Sequence, residues 1–199
     1  MSKIIDEIAK IAKNFPDKIA ISCGLKNISY QDLSAIATAK GPSSFTSTRI
    51  GLSCIKAIKL ATNTKIFTFD SLQIMAHFHK DFQGKILAII DANMNEFFIA
   101  EFSFSNNKIN ILQETKLVNL TDLEKFAITK NHLIIGNCQE IVANIFNNKI
   151  GFKISQKNDY IFAQKIAFMT KEALENKDAK FENSDALYLR MPNIVKRKN

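Results

Sequence analysis

The chain has 199 residues, and its 27 Lys+Arg against 19 Asp+Glu give a formal charge of +8. At 46% hydrophobic and 23% charged it has an ordinary globular composition, and the length buries a core without disulfides or a structural metal. No apolar run of about 18 residues exists to span a bilayer, and the opening Met1–Glu7 reaches acidic residues before any signal-like apolar stretch, so a cytoplasmic location away from membranes is expected.

Cys23, Cys54 and Cys138 are far apart and form no CxxC pair, as small apolar residues of a reducing compartment would. The basic surplus is almost all lysine; Arg49, Arg190 and Arg197 are the three arginines. Lysine is a hydrated point charge, whereas reading base edges favours the planar guanidinium, so loose electrostatic attraction fits better than sequence-specific nucleic-acid recognition.

In chain order, Ile4, Ile5, Ile8, Ile11 and Ala12 recur at helical spacing over 2–14, and Pro16 ends that helix. Lys18 to Cys23 alternates as a short strand with a turn at Gly24. Ser29-Tyr30-Gln31-Asp32 reads as a capping turn before a buried strand over 33–39. Residues 41–51 then open a helix to about Ala61, whose core face is expected to hold Ile50, Cys54, Ala57, Ile58 and Ala61. A strand over 65–69 leads to a helix capped by Ser71 and running to His79. This strand, helix, strand order marks a parallel α/β unit.

Beyond Gly84, strands are expected at 86–91, 97–104 and 109–112, close enough to form an antiparallel meander. Thr121-Asp122-Leu123-Glu124 reads as a capping box, Leu133–Asn137 as a buried strand, and 139–146 and 159–175 as helices. The tail at 186–192 precedes the basic Lys196-Arg197-Lys198. The expected organisation is a first lobe over 1–84 and a second over 85–199.

Catalytic patterns are sparse. There is no GxxxxGK[ST] loop, GxSxG elbow, HExxH pair or dinucleotide fingerprint. His77 and His79, two apart on a helix, point to different sides and cannot share a metal, and His132 stands alone. No catalytic residue, cofactor or metal is assigned.

The unusual segment is Gly41-Pro42-Ser43-Ser44-Phe45-Thr46-Ser47-Thr48-Arg49-Ile50-Gly51. It joins a buried strand to a helix through a Gly-Pro turn and five hydroxyls. Backbone N–H groups at a helix start are open to capping by those hydroxyls or to an anion. Phosphate loops use glycine where the backbone approaches the ligand, and here serines stand, so self-capping is the better reading.

This segment resembles the GPGSFTGxRIG signature of the TsaB (YeaZ) proteins of tRNA threonylcarbamoyladenosine synthesis, with Ser43 and Ser47 at two glycine positions. Residues 29–39 resemble the family's S-x-x-D-I-D-x-I-A-V stretch, and Asp70-Ser71-Leu72 its V-S-S-L. Ile89-Ile90-Asp91-Ala92 with Glu96 is similar to D-A-R-x-x-E-V-Y, Asn93 replacing arginine. Tyr188-Leu189-Arg190 and Pro192 are similar to the closing Y-L-R-x-P. The family's opening strands, which carry a D-T-S motif, have no counterpart; residues 2–13 resemble its first helix. The edge of strand 33–39 is then expected to be covered by residues 18–23 or by a partner.

The resemblance implies an α/β protein of actin-like ATPase (ribonuclease H-like) fold. It would have two small lobes, mixed sheets flanked by helices and an incomplete first lobe. It implies a non-catalytic subunit that binds a TsaD-like catalytic subunit, the one that transfers threonylcarbamoyl to adenosine 37 of ANN-decoding tRNAs. A TsaE-like ATPase would join, tRNA would be engaged indirectly, and the isolated chain would form a homodimer. The signature residues are Gly41, Pro42, Ser43, Ser44, Phe45, Thr46, Arg49 and Gly51. Family pairing runs through the helices framing that loop, which points to Ile55, Lys56 and Lys59, with Gly51 permitting close approach. Ile55 either makes that contact or completes the core stripe, and the lysines are either rim charges or a solvated face. The alternative function is a residual nucleotide-binding or hydrolytic protein using residues 41–48 and Asp91. A third reading is a nonspecific RNA-binding module resting on the charge and the basic tail.

Overall fold

A computed structural model describes residues 19–23, 26–146, 151–155, 161, 163–177 and 185–189. The expected helix at 2–14, Arg190, Pro192 and the basic tail lie outside them. Contacts divide the chain into two units, 1–74 with 161–186 and 75–160 with 187–199. The division thus falls between Ile74 and Met75, not at Gly84, and the chain returns to the first unit near its end. At Gly84 a side chain would collide with Asn131 in the turn before a neighbouring strand.

In the first unit, strands β1 (Ile19–Cys23) and β2 (Lys26–Ser29) form an antiparallel pair. β1 therefore pairs with β2, a strand not foreseen from the sequence, and does not cover the edge of β3 (Ala35–Ala39). Asp32 accepts from the backbone N–H and hydroxyl of Ser29, so the 29–32 segment caps a turn and not a helix. β3 pairs in parallel with β4 (Lys65–Phe69), its one strand neighbour among the described residues, and helix α1 (Phe45–Thr62) connects them.

The period-two alternation of β3 and β4 sorts their side chains to two faces. Ile36 and Ile66 pack with Leu52 and Ile55 of α1. Ala35, Ala37, Ala39, Phe67 and Phe69 take the other face, with Ile74. Met169 and Ala173 of α5 (Ala163–Glu175) join this second cluster, which is why the chain returns to the first unit. Two helices thus sandwich a parallel pair, and burying Phe67 and Phe69 contributes about 1.5–3 kcal/mol each.

The core face of α1 differs from the expected one. Thr48, Leu52 and Ile55 face β3 and β4, whereas Ile50 is half exposed and Cys54, Ile58 and Ala61 are only partly buried. Ala57 is also fully buried, about 160° around the helix from Ile55. The helix is buried on two flanks, so a single-stripe reading of its sequence misplaces the face.

After β4, helix α2 (Ser71–Ala76) runs into a 3-10 turn over His77–His79. Its cap is Asp70, not Ser71: Asp70 Oδ1 accepts from the N–H groups of Leu72 and Gln73 at 2.7 and 3.3 Å.

The second unit holds a five-stranded sheet in the order β7-β6-β5-β8-β9. β5 (Lys85–Asp91), β6 (Glu96–Ser105) and β7 (Lys108–Asn119) form the expected meander, while β8 (His132–Gly136) and β9 (Lys153–Ile154) add in parallel. β7 is three times its expected length. Helix α3 (Leu120–Glu124) is capped by Asn119, whose side chain accepts from the Asp122 N–H, so the Thr121 capping box does not form. Helix α4 (Gln139–Ile145) lies where expected. Leu123, Val142 and Phe146 pack on Leu87, Ile89, Ile99 and Ile134 of the sheet. Gly136, at φ 141°, lets β8 pass the Ile89 carbonyl, where a side chain would collide.

Candidate partner-docking site

The signature loop is anchored at both ends. Lys40 N–H donates to Phe69 O at 2.9 Å, and Gly41 O accepts from Ser71 N–H at 2.9 Å, which ties the loop to the start of α2. Gly41 has φ 102°, a conformation that favours glycine. Neither Ser43 nor Ser47 has a positive φ, so serine fits at both glycine positions of the family pattern without strain. The Gly41–Pro42 peptide is cis, and both residues are buried.

The hydroxyls do not cap α1 as expected. Ser44, at the N-cap, makes no side-chain cap bond. Ser43 Oγ and Thr48 Oγ1 instead meet at 2.5 Å, closing the loop onto the first helical turn. Gly51 faces inward: a Cβ there would sit 3.1 Å from Thr38 Oγ1, so its smallness serves the approach of α1 to β3 within the chain.

The candidate contact residues separate. Ile55, 5% exposed, belongs to the core with Leu52 and Ile66 and is not a surface contact. Lys56 and Lys59 are exposed. Phe45 is 47% exposed and lies under the Arg49 guanidinium, 3.7 Å from Cζ to the ring centroid. Leu60, which sequence reasoning passed over, is 83% exposed. Phe45, Arg49, Lys56 and Leu60 fall within about 60° of one another around α1 and form one outward stripe.

Reactive groups elsewhere are enclosed. Burial and the nearby Asp91 carboxylate push the Cys138 thiol up to about 12, which removes the thiolate. Asp91 Oδ1 accepts from the Asn93 N–H at 2.7 Å and shapes the β5–β6 turn. His79 Nε2 lies 3.5 Å from Ser155 Oγ, and His77 packs edge-on against Phe104; both histidines are buried. His132, solitary in sequence, is fully buried with Nε2 2.8 Å from Glu101 Oε1 and Nδ1 2.8 Å from Thr129 Oγ1. A glutamate among the apolar residues of β6 was the available sign, since a buried carboxylate requires a partner. Among the described residues, no three His, Cys, Asp or Glu side chains group to hold a metal, and no helix is long and apolar enough to cross a membrane.

Comparison with known proteins places this arrangement. The pattern of the family described as "TsaD: tRNA N6-adenosine threonylcarbamoyltransferase" matches residues 8–194. The tRNA threonylcarbamoyladenosine biosynthesis protein TsaB of Bacillus subtilis is 27% identical over 125 residues, 62% of this chain and 55% of that protein. TsaB of Escherichia coli is 34% identical over 92 residues, 45% and 40% of the two chains. TsaB of Buchnera aphidicola is 27% identical over 159 residues, 74% and 72%. The chain thus spans about half the length of the first two relatives. Two solved structures share the fold. A Pseudomonas aeruginosa protein described as similar to peptidase YeaZ has a TM-score of 0.66 at 18% identity, over 82% of this chain and 76% of that one. YeaZ from Pseudomonas aeruginosa has a TM-score of 0.63 at 16% identity, over 80% and 76%. The actin-like α/β fold expected from the sequence is the fold of this group, and the chain belongs to the TsaD family and, within it, to the TsaB (YeaZ) proteins.

Proposed function

We propose that this chain is a non-catalytic subunit of a tRNA N6-threonylcarbamoyladenosine modification assembly and that it holds a TsaD-type catalytic subunit through the outward stripe of α1. The biosynthetic role named for its TsaB relatives supports the pathway. The observation that carries the docking surface is Leu60, 83% exposed, within about 60° of the half-exposed Phe45 around α1. Single exposed apolar residues are ordinary. Here two of them stand about 22 Å apart along one stripe, with Arg49 and Lys56 between them, a pattern of apolar anchors and basic rim that fits a partner with acidic rim groups. A TsaE-type ATPase joins the same assembly, and without the catalytic subunit the stripe pairs two copies of this chain.

The test is co-expression with the TsaD-type subunit of the same genome, comparing wild type with Leu60→Asp and Phe45→Ser. Wild type should co-purify, and the double variant should lose at least about tenfold in affinity, as for truncated interface anchors. A folded TsaD-type subunit that fails to retain wild type, or retains both proteins equally, overturns the proposal.

A further inference from the structure

One end of the five-stranded sheet carries a row of lysines. Four strands start there. β5 begins with Lys85, β7 with Lys108 and β9 with Lys153, and β8 is entered through Lys130-Asn131. The registers hold them together: Lys85 lies opposite His132, Leu133 opposite Lys153, and Lys108 opposite Ser105 at the end of β6. The turns join the same end, for Lys85 N–H donates to Asn131 O at 2.9 Å and the Lys130 side chain lies against Gly151. The row crosses the full sheet, about 19 Å at a strand spacing near 4.8 Å. Lys85, Lys108, Lys130 and Lys153 are exposed.

Among the described residues its charge is offset only in part. Lys80 adds a fifth lysine in the turn before β5, and the described carboxylates at this end are Asp81 and Glu101. Glu101 points inward and is held by His132 at 2.8 Å and Lys85 at 3.6 Å. Lys108, Lys130 and Lys153 have no ion pair among the described residues. At the opposite end the balance reverses: Asp91, Glu96, Asp122 and Glu124 stand against Lys125 among the described residues. Phe82, partly exposed, lies beside the row with Lys153 Nζ 6.0 Å from its ring centroid.

We infer that this sheet end is a contact site for the phosphate backbone of RNA. Evenly spread lysines with an aromatic beside them match a flexible polyanion read without sequence preference. The choice of RNA rests on the tRNA-modification reading; the site itself rests on the sheet and is separate from α1.

The experiment is fluorescence anisotropy of labelled total tRNA against the full chain over a salt series. The variants are Lys108→Gln/Lys130→Gln/Lys153→Gln, the same three positions as Lys→Arg, and Lys56→Gln/Lys59→Gln on α1. Wild type should bind with steep salt dependence. The triple glutamine variant should lower the log–log slope by about 2, since each neutralised phosphate contributes about 0.7–0.9. The arginine set and the α1 pair should keep the slope, and all variants should keep the wild-type urea midpoint. Absence of tRNA binding at low salt, an unchanged slope in the triple glutamine variant, or tighter binding of poly-glutamate than of tRNA overturns the inference. The triple glutamine variant should still co-purify with the TsaD-type subunit, so failure of the docking test and failure of this one are distinguishable.

Discussion

Glu101 on β6 and His132 on β8 are joined at 2.8 Å across the strand between them, β5. The Thr129 backbone N–H donates to His132 Nδ1 at 2.9 Å, so that nitrogen is an acceptor and Nε2 carries the proton given to Glu101. Glu101→Ala leaves the imidazole N–H buried and unmatched and should cost about 1–3 kcal/mol. Glu101→Gln, which still accepts, should cost less. Urea unfolding of the two variants separates them, and equal losses would contradict a hydrogen-bond role.

Ile55 and Leu60, five residues apart on α1, should respond oppositely to the same change. Ile55→Ala removes core volume beside Leu52 and Ile66 and should cost about 2–5 kcal/mol. Leu60→Asp, on the exposed stripe, should stay within about 0.5 kcal/mol of wild type. Urea midpoints check both.

The Cys138 thiol, raised to about 12 by burial and by Asp91, should resist iodoacetamide at mildly alkaline pH in the folded chain and react on denaturation. Cys54, partly exposed, should be alkylated before Cys138. Peptide mass mapping over time gives the order, and early labelling of Cys138 would refute it.

The Ser29 hydroxyl, at 2.7 Å, and then the Ser29 N–H, at 2.9 Å, hold the Asp32 carboxylate below its ordinary 3.8. A depressed value in the fold means the ionised form is the one stabilised. The turn keeps this contribution above the unfolded value and loses it as pH falls below 3.8 through the folded value. In an NMR titration, Ser29→Ala should move the Asp32 midpoint upward.

Legibility in the sequence followed burial. The apolar runs of β4, β5 and β8 declared themselves because both faces of those strands are covered. β7 was read as four residues and not twelve because Gln113-Glu114-Thr115-Lys116 lies on an exposed outer strand, where polar residues cost nothing. The helix caps were misassigned because Asp70 beside Ser71, and Asn119 near Thr121, are equally able acceptors, and only backbone geometry chooses. The loop at 41–51 was found from its residue types, but the surface it introduces was not: Ile55 and Leu60 look alike in sequence, and only packing says which one meets solvent. The Glu101–His132 pair joins residues 31 apart, a juxtaposition set by strand order.

β7, the outermost strand of its sheet, exposes Ile111 and Leu112 on a margin twelve residues long, the kind of margin on which foreign strands nucleate. Its ladder to β6 breaks register between Ile99 and Glu101 and again between Glu101 and Phe102. A strand arriving from another molecule therefore meets two short regular stretches, Lys108–Ile111 and Lys116–Asn119, separated by a twisted gap. The irregularity thus breaks up the long margin that a foreign strand would otherwise use as a template.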